Sequence, residues 1–92
     1  MAKPIGADKK RTVRNLDEAF GAELTEVRTR RRWSQQQLAE TSGYDESYIR
    51  QLERGTKSAT LRTLSNLASA ISLPVSVLIK RAETRLRKGS RE

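Results

Sequence analysis

The chain has 92 residues, with 19 Lys and Arg against 11 Asp and Glu, a formal net charge of +8, and only 4% aromatic residues. That length makes one small domain and leaves little room for both a deep substrate pocket and the core to support it. There is no Cys and no His, which removes thiol nucleophiles, disulfides, the commonest zinc ligands and the side chain best suited to proton transfer near neutral pH. An enzyme is therefore disfavoured, and neither a metal, a cofactor nor a small-molecule ligand is expected. Apolar runs are a few residues long, far short of the roughly 20 a membrane helix needs, and the basic start leads into no apolar signal-peptide core. These features read as a soluble, cytoplasmic chain. Its basic excess favours an anionic partner, nucleic acid before a membrane surface.

The charge is unevenly placed. Residues 1–15 carry five basic groups against Asp8, and residues 80–92 carry six against Glu83 and Glu92, so each end is +4 while residues 16–79 hold eight of each sign. The neutral middle is thus the folded module, and the ends are expected to set overall affinity for a polyanion and its salt dependence.

Residues 1–14 contain Pro4 and Gly6 without apolar periodicity, which predicts a flexible basic arm. Asn15 then stands as an N-cap with Glu18 three residues on, and Leu16, Phe20, Leu24 and Val27 recur at helical spacing as far as about Arg31. Its acids come early (Asp17, Glu18, Glu23, Glu26) and its bases late (Arg28, Arg30, Arg31, Arg32), which suits the helix dipole. Ser34 with Gln37 forms a second capping-box pair. The short helix it opens has Leu38 and Ala39 inward and ends at Gly43. Asp45 can cap a third helix with Tyr48, Ile49 and Leu52 apolar, closing at Gly55.

Thr60 opens a fourth helix with Leu61, Leu64, Leu67, Ala68 and Ile71 on one face, and Pro74 suits the first position of a fifth. That last helix aligns Val75, Leu78, Ile79, Ala82 and Leu86 in a stripe longer than a domain of this size can cover, so a partner surface is expected there. No strand alternation or internal repeat occurs. The fold class is all-α, with the domain at 15–88 and a short basic tail at 89–92.

Two short helices joined through Gly43, with small Ala39 in the first and Ile49 and Leu52 anchoring the second, make a helix-turn-helix over about 34–54. The outer face of the second helix then projects Glu46, Ser47, Arg50, Gln51 and Arg54, a polar set of the reach a major groove requires.

The run Trp33-Ser34-Gln35-Gln36-Gln37-Leu38-Ala39 through Gly43, followed by Tyr48-Ile49-Arg50-Gln51-Leu52-Glu53-Arg54-Gly55, resembles the signature of the Xre family, the Cro and phage-repressor type of helix-turn-helix regulator. The similarity continues through Thr60-Leu61 and the Leu64, Leu67, Ala68, Ile71 ladder, covering about residues 18–82. Asp45 with Tyr48-Ile49 is also similar to the recognition helix of restriction-modification controller proteins. The resemblance implies a compact five-helix, lambda-repressor-like domain that binds double-stranded DNA as a homodimer and regulates transcription. It implies base reading by Glu46, Ser47, Arg50 and Gln51, and phosphate contacts from Gln35, Gln36, Arg54, Thr56, Lys57, Ser58 and Arg62. It implies a structural ion pair between Arg28 and Glu53. Val75, Ile79, Ala82 and Leu86 are the candidates for the dimer contact. The family often has Gly where Arg32 and Ser72 stand and Pro where Ala59 stands, so turn geometry at those points is open.

Plainer readings stand beside these. Trp33, Tyr44 and Tyr48 read as core rather than as bases' stacking partners. Glu46 can accept from cytosine N4, or can merely favour the helix dipole. An alternative function is an antitoxin that also regulates its own promoter. That reading calls for an extra apolar segment beyond the five helices, whereas both ends are polar and basic. Membrane association is disfavoured because the ends lack an apolar face.

Overall fold

The computed structural model describes residues 12–91, with side chains for residues 12–89. They form α1 (Leu16–Arg30), α2 (Gln35–Ser42), α3 (Glu46–Arg54), α4 (Leu61–Ala70) and α5 (Val75–Arg91), with no strand among the described residues. The all-α, five-helix class read from the sequence is the one observed. Most of the arm expected over 1–14 lies outside the described residues.

Capping residues set the helix starts. The Asn15 side chain accepts from the Glu18 amide at 2.9 Å. Ser34 and Gln37 satisfy each other's amides at 3.0 and 2.7 Å, and Thr60 accepts from the Thr63 amide at 3.0 Å. Each such cap stabilises by about 1 kcal/mol. Asp45 departs from this pattern: it occupies the N-cap of α3 but makes no side-chain cap bond. The Tyr48 amide donates to the Asp45 backbone carbonyl instead, at 3.1 Å. Pro74 sits just before α5 rather than at its first residue, its carbonyl accepting from the Val77 and Leu78 amides.

The helix ends share one solution. The amides of Trp33, Tyr44, Thr56 and Leu73 each donate to the carbonyl five residues back, those of Arg28, Ala39, Gln51 and Ala68, at 3.0–3.2 Å. This is the six-residue closing bond of a Schellman cap, which requires left-handed backbone at the residue before the donor. Gly43 and Gly55 supply it with φ of 84° and 79°, whereas Arg32 and Ser72 adopt it with φ of 62° and 58°. The turns thus keep their geometry where the resembling family often has glycine. An L-residue there carries about 1–2 kcal/mol of strain. Trp33, Tyr44 and Leu73, which follow three of these turns, pack against the core.

Phe20, Leu24, Val27, Leu38, Ile49, Leu52, Leu67, Ile71 and Leu78 fill that core. Two expected members are absent from it. Leu16 is 40% exposed and Leu61 83% exposed. Each is the first residue of its helix, where the side chain leans back over the cap and away from the packed face. Val13, assigned to the arm, is instead buried at 6% exposure, wedged beside Gly89 of α5. Helix α5 itself runs through 89–91, which the sequence reading set apart as tail.

Helix α1 is the hub, packing on α3 along one side and α5 along another. At Gly21 a Cβ would sit 2.4 Å from the carbonyl oxygens of Leu52 and Glu53, so the absent side chain lets α1 and α3 approach backbone to backbone. Towards α5, the buried Glu23 carboxylate accepts from Arg85 at 2.9 Å and from Arg81 at 3.5 Å. Arg85 also bonds Glu26, which in turn pairs with Arg30 at 2.6 Å.

Candidate nucleic-acid interface

The short α3 divides its residues cleanly. Ile49, Leu52 and Glu53 are buried against α1 and α2, while Glu46, Ser47, Gln51 and Arg54 are exposed and Arg50 is half-buried. Ser47, Gln51 and Arg54 are spaced by four and three, and Glu46, Arg50 and Arg54 by four, so the five form one outward stripe. Arg50 pairs loosely with Glu46 one turn earlier, at 3.5 Å.

A side-chain network fixes how that stripe is presented. Arg28 of α1 donates to both Glu53 oxygens, from Nε at 2.7 Å and from Nη2 at 3.0 Å, and its Nη1 reaches the Trp33 carbonyl at 2.8 Å. Gln35, first residue of α2, donates its Nε2 to Glu53 Oε1 at 2.9 Å. One buried carboxylate therefore ties the end of α1, the start of α2 and the last turn of α3 into a single unit. The bidentate pair is the strong form of such a contact. Arg28 and Glu53 are brought together as the sequence reading paired them, but Gln35, assigned there to a phosphate, has its amide directed inward. Besides the exposed side chains of Gln36 and Gln37, this end of α2 offers backbone donors. The capping box engages the Gln37 amide, and those of Gln35 and Gln36 lie in the first turn, where a helix offers no partner of its own. Gln36 Nε2 contacts Glu40 at 3.2 Å.

An open groove of about 540 Å³ runs between these elements, lined by Thr25, Arg28, Gln35, Arg50, Glu53 and Arg54. Since Glu53 is held by Arg28, the arginines of α3 give the groove a basic lip beside the α2 N-terminus, an arrangement suited to a phosphate.

Beyond α3, Lys57, Arg54 and Arg62 present exposed cationic side chains. Thr56 and Ser58 do not share that disposition. The Thr56 hydroxyl and amide both donate to the Gln51 carbonyl, at 3.2 and 3.1 Å, closing α3, and Ser58 donates to Asp17 of α1 at 2.6 Å. Their hydroxyl protons serve the fold, so a phosphate at this loop has the lysine and arginines to meet rather than the hydroxyls.

The turn before α3 is braced from α4. Buried Thr63 receives the hydroxyls of Tyr44 and Thr60 at 3.4 and 3.1 Å and lies 3.2 Å from that of Tyr48. Asn66 donates to Tyr44 at 2.8 Å, and the phenol pKa lies below its ordinary value because the Thr63 hydroxyl, once turned to donate, and then the Asn66 amide hold the phenolate oxygen. Both tyrosines and Trp33 are half-buried against the core, with the Arg31 guanidinium 5.6 Å from the Trp33 ring centre. The sequence reading missed Thr63 and Gly21. Only a close-packing glycine in mid-helix hinted at the second, and nothing distinguished the first from other helical threonines.

On α5, Val75, Ile79 and Leu86 are half-buried and keep some apolar surface open. Ala82 is 0% exposed. It lies on the inward face with Leu78, so it leaves the set of candidate contact residues.

Two short packed helices joined through the left-handed turn at Gly43, with an outward polar stripe and basic flanks, define a helix-turn-helix of the nucleic-acid-reading kind. The helix-turn-helix family profile matches residues 24–78. The "HTH-type transcriptional regulator SutR" of Escherichia coli K12 is 33% identical over 73% of this chain, which spans 38% of that protein's length. "Control protein C.SmaI" of Serratia marcescens is 36% identical over 73% of this chain and 80% of its own. The crystal structure of the restriction-modification controller protein C.AhdI from Aeromonas hydrophila superposes with a TM-score of 0.65 at 38% identity, covering 66% of this chain and 92% of that one. The chain belongs to the helix-turn-helix family of Xre and Cro type, a family of DNA-binding transcription regulators and not of enzymes.

Proposed function

We propose that this regulator binds a pseudo-palindromic operator as a homodimer, each protomer laying α3 in the major groove. The observation that carries the reading is the split face of α3: five polar side chains outward, and the opposite face clamped through Glu53 to α1 and α2. Glu46, Ser47, Arg50 and Gln51 read base edges. A Gln matched to adenine or an Arg matched to guanine contributes about 1–3 kcal/mol of discrimination. Arg54, Lys57, Arg62 and the first-turn amides of α2 at Gln35 and Gln36 hold the flanking phosphates, with Thr56 and Ser58 shaping the loop that carries Lys57.

Dimerisation follows from the need for specificity. A single recognition helix covers about three or four base pairs, too few to single out a site against a genome of competitors, whereas two related by a two-fold axis about 10 base pairs apart suffice. Val75, Ile79 and Leu86 on α5 supply the apolar contact. Among the described residues no single helix is long and apolar enough to cross a membrane, and we place the protein in the cytoplasm.

Selection of bound sites from a random duplex pool tests recognition, symmetry and spacing together. A two-fold symmetric consensus is expected, with sedimentation showing two protomers per duplex. An asymmetric single half-site bound by one protomer overturns the dimer, and a pool with no enrichment overturns base reading.

A further inference from the structure

Helix α3 is tied to its neighbours by polar side chains at two points, Tyr48 and Glu53, which lie about 7.5 Å apart along the helix axis. Glu53 binds the last turn to α1 and α2. The first turn is held differently. Asp45 makes no side-chain cap bond there, unlike Asn15, Ser34 and Thr60 at the starts of α1, α2 and α4. At the corner before it, a Cβ on Gly43 would meet nothing within 4 Å. Neither a cap nor contact at the glycine therefore fixes the entry of the chain into α3.

A cluster of hydroxyls around Thr63 of α4, itself 5% exposed, reaches this turn instead. The Tyr44 and Thr60 hydroxyls donate to the Thr63 oxygen at 3.4 and 3.1 Å, and the Tyr48 hydroxyl lies 3.2 Å from it. A hydroxyl accepts twice and donates once. With Tyr44 and Thr60 filling both acceptor positions, the Thr63 proton falls to Tyr48. The partners are themselves pinned, Thr60 by the Thr63 amide at 3.0 Å and Tyr44 by Asn66 at 2.8 Å. The two tyrosine rings pack with their centroids 5.3 Å apart. Helix α4 packs chiefly on α2 and α5, and the Tyr48 hydroxyl carries that support across to α3. Tyr48 directly follows Glu46 and Ser47, so whatever moves its ring moves them.

We propose that Thr63 is a positioning residue for base recognition. Acting through Tyr48, its hydroxyl sets the rotation and depth of the first turn of α3, and with them the preference at the bases met by Glu46 and Ser47. The Glu53 anchor governs Gln51 separately. This rests on the base-reading roles proposed above.

The probes are the duplex recovered from the pool selection, its single-base variants across one half-site, and a scrambled duplex. Glu46→Ala and Ser47→Ala mark the base pairs read by the first turn, and Gln51→Ala marks those read further along. Thr63→Val keeps the branched shape and removes the hydroxyl. Discrimination at the first set is expected to fall about tenfold, within the roughly five- to hundredfold that a good base contact gives, while the Gln51 set and the scrambled duplex change by less than about twofold. Tyr48→Phe strips the same bond from the other side, so it shows the same selective loss and the double variant loses nothing more. Thr63→Ser keeps a hydroxyl and restores most of the discrimination. Circular dichroism melts verify folding, and Tyr48→Phe, at a half-buried site, decides the question should Thr63→Val not fold. Unchanged discrimination at the first set overturns the proposal. So does a loss spread evenly over the half-site, the mark of a fold weakened as a whole, and so does a first turn at which neither Glu46→Ala nor Ser47→Ala alters any position. These results leave dimeric DNA binding standing, whereas a selection that enriches no site removes base reading and the role of Thr63 together.

Discussion

Removing Arg28 tests whether the buried carboxylate of Glu53 organises the recognition unit. In Arg28→Ala, Glu53 loses two donors at 2.7 and 3.0 Å and the Trp33 carbonyl loses its own at 2.8 Å, while the Gln35 bond remains. Stripping one partner from a buried pair costs about 3–5 kcal/mol, chiefly because a charge is left uncompensated. The Arg28 side chain is 12% exposed and that of Glu53 5%, so water reaches the site slightly and the lower bound, about 3 kcal/mol, is expected. At roughly 0.05–0.15 kcal/mol per residue the whole domain is stable by about 5–14 kcal/mol. The loss is therefore a large fraction, and the melting temperature should fall by about 12–24 °C. Urea titration and thermal melts followed by circular dichroism measure it. Arg28→Met combined with Glu53→Leu removes both charges and is expected to recover at least half of the loss. A single variant that melts within a few degrees of the unaltered chain, or a double variant less stable than the single, refutes the argument from an uncompensated charge.

Replacing the two non-glycine turn residues should act in the opposite direction. Arg32→Gly and Ser72→Gly each relieve left-handed strain and are expected to add about 0.5–1 kcal/mol after the entropy of glycine in the unfolded chain is subtracted; a lower melting temperature for both would contradict this. Gly21→Ala forces a methyl into the space 2.4 Å from two α3 carbonyls, so despite better helix propensity it should destabilise by about 1–3 kcal/mol and weaken DNA binding by displacing α3. Full stability would mean that the helices separate without penalty. In binding titrations, Gln51→Ala should flatten the preference for the selected duplex over a scrambled one, while Lys57→Ala weakens both alike. Equal loss on both duplexes for Gln51→Ala removes it from the base-reading set.

Much of the fold was legible because capping chemistry and apolar spacing are local. Asn15, Ser34 and Thr60 mark helix starts by the bonds their own side chains make, and Gly43 and Gly55 mark ends by the backbone only glycine adopts freely. Legibility failed where the deciding interaction is not local. Leu16 and Leu61 obey the helical period, yet their place at a first residue turns them to solvent. Val13 has no periodic neighbours and is buried only because Gly89 leaves room for it. Ala82 belongs to the right stripe, but a stripe read from spacing does not distinguish the residues facing the core from those facing a partner. At the site, the outward α3 residues could be read from the spacing of apolar Tyr48, Ile49 and Leu52, whereas the inward commitments of Gln35, Thr56 and Ser58 depend on Glu53, on the Gln51 carbonyl and on Asp17, each reached only through the tertiary fold.

Gly21 and Glu23 stand two residues apart on α1, the first pressed to the backbone of α3, the second gripping the arginines of α5. A helix this short behaves as a stiff lever, so a tilt imposed at one contact is delivered to the other. If the proposed dimer forms through α5, a contact that tilts α5 bears on the same helix against which α3 rests. By thermodynamic reciprocity, the factor by which a partner sharpens the grip on DNA is the factor by which DNA sharpens the grip on the partner.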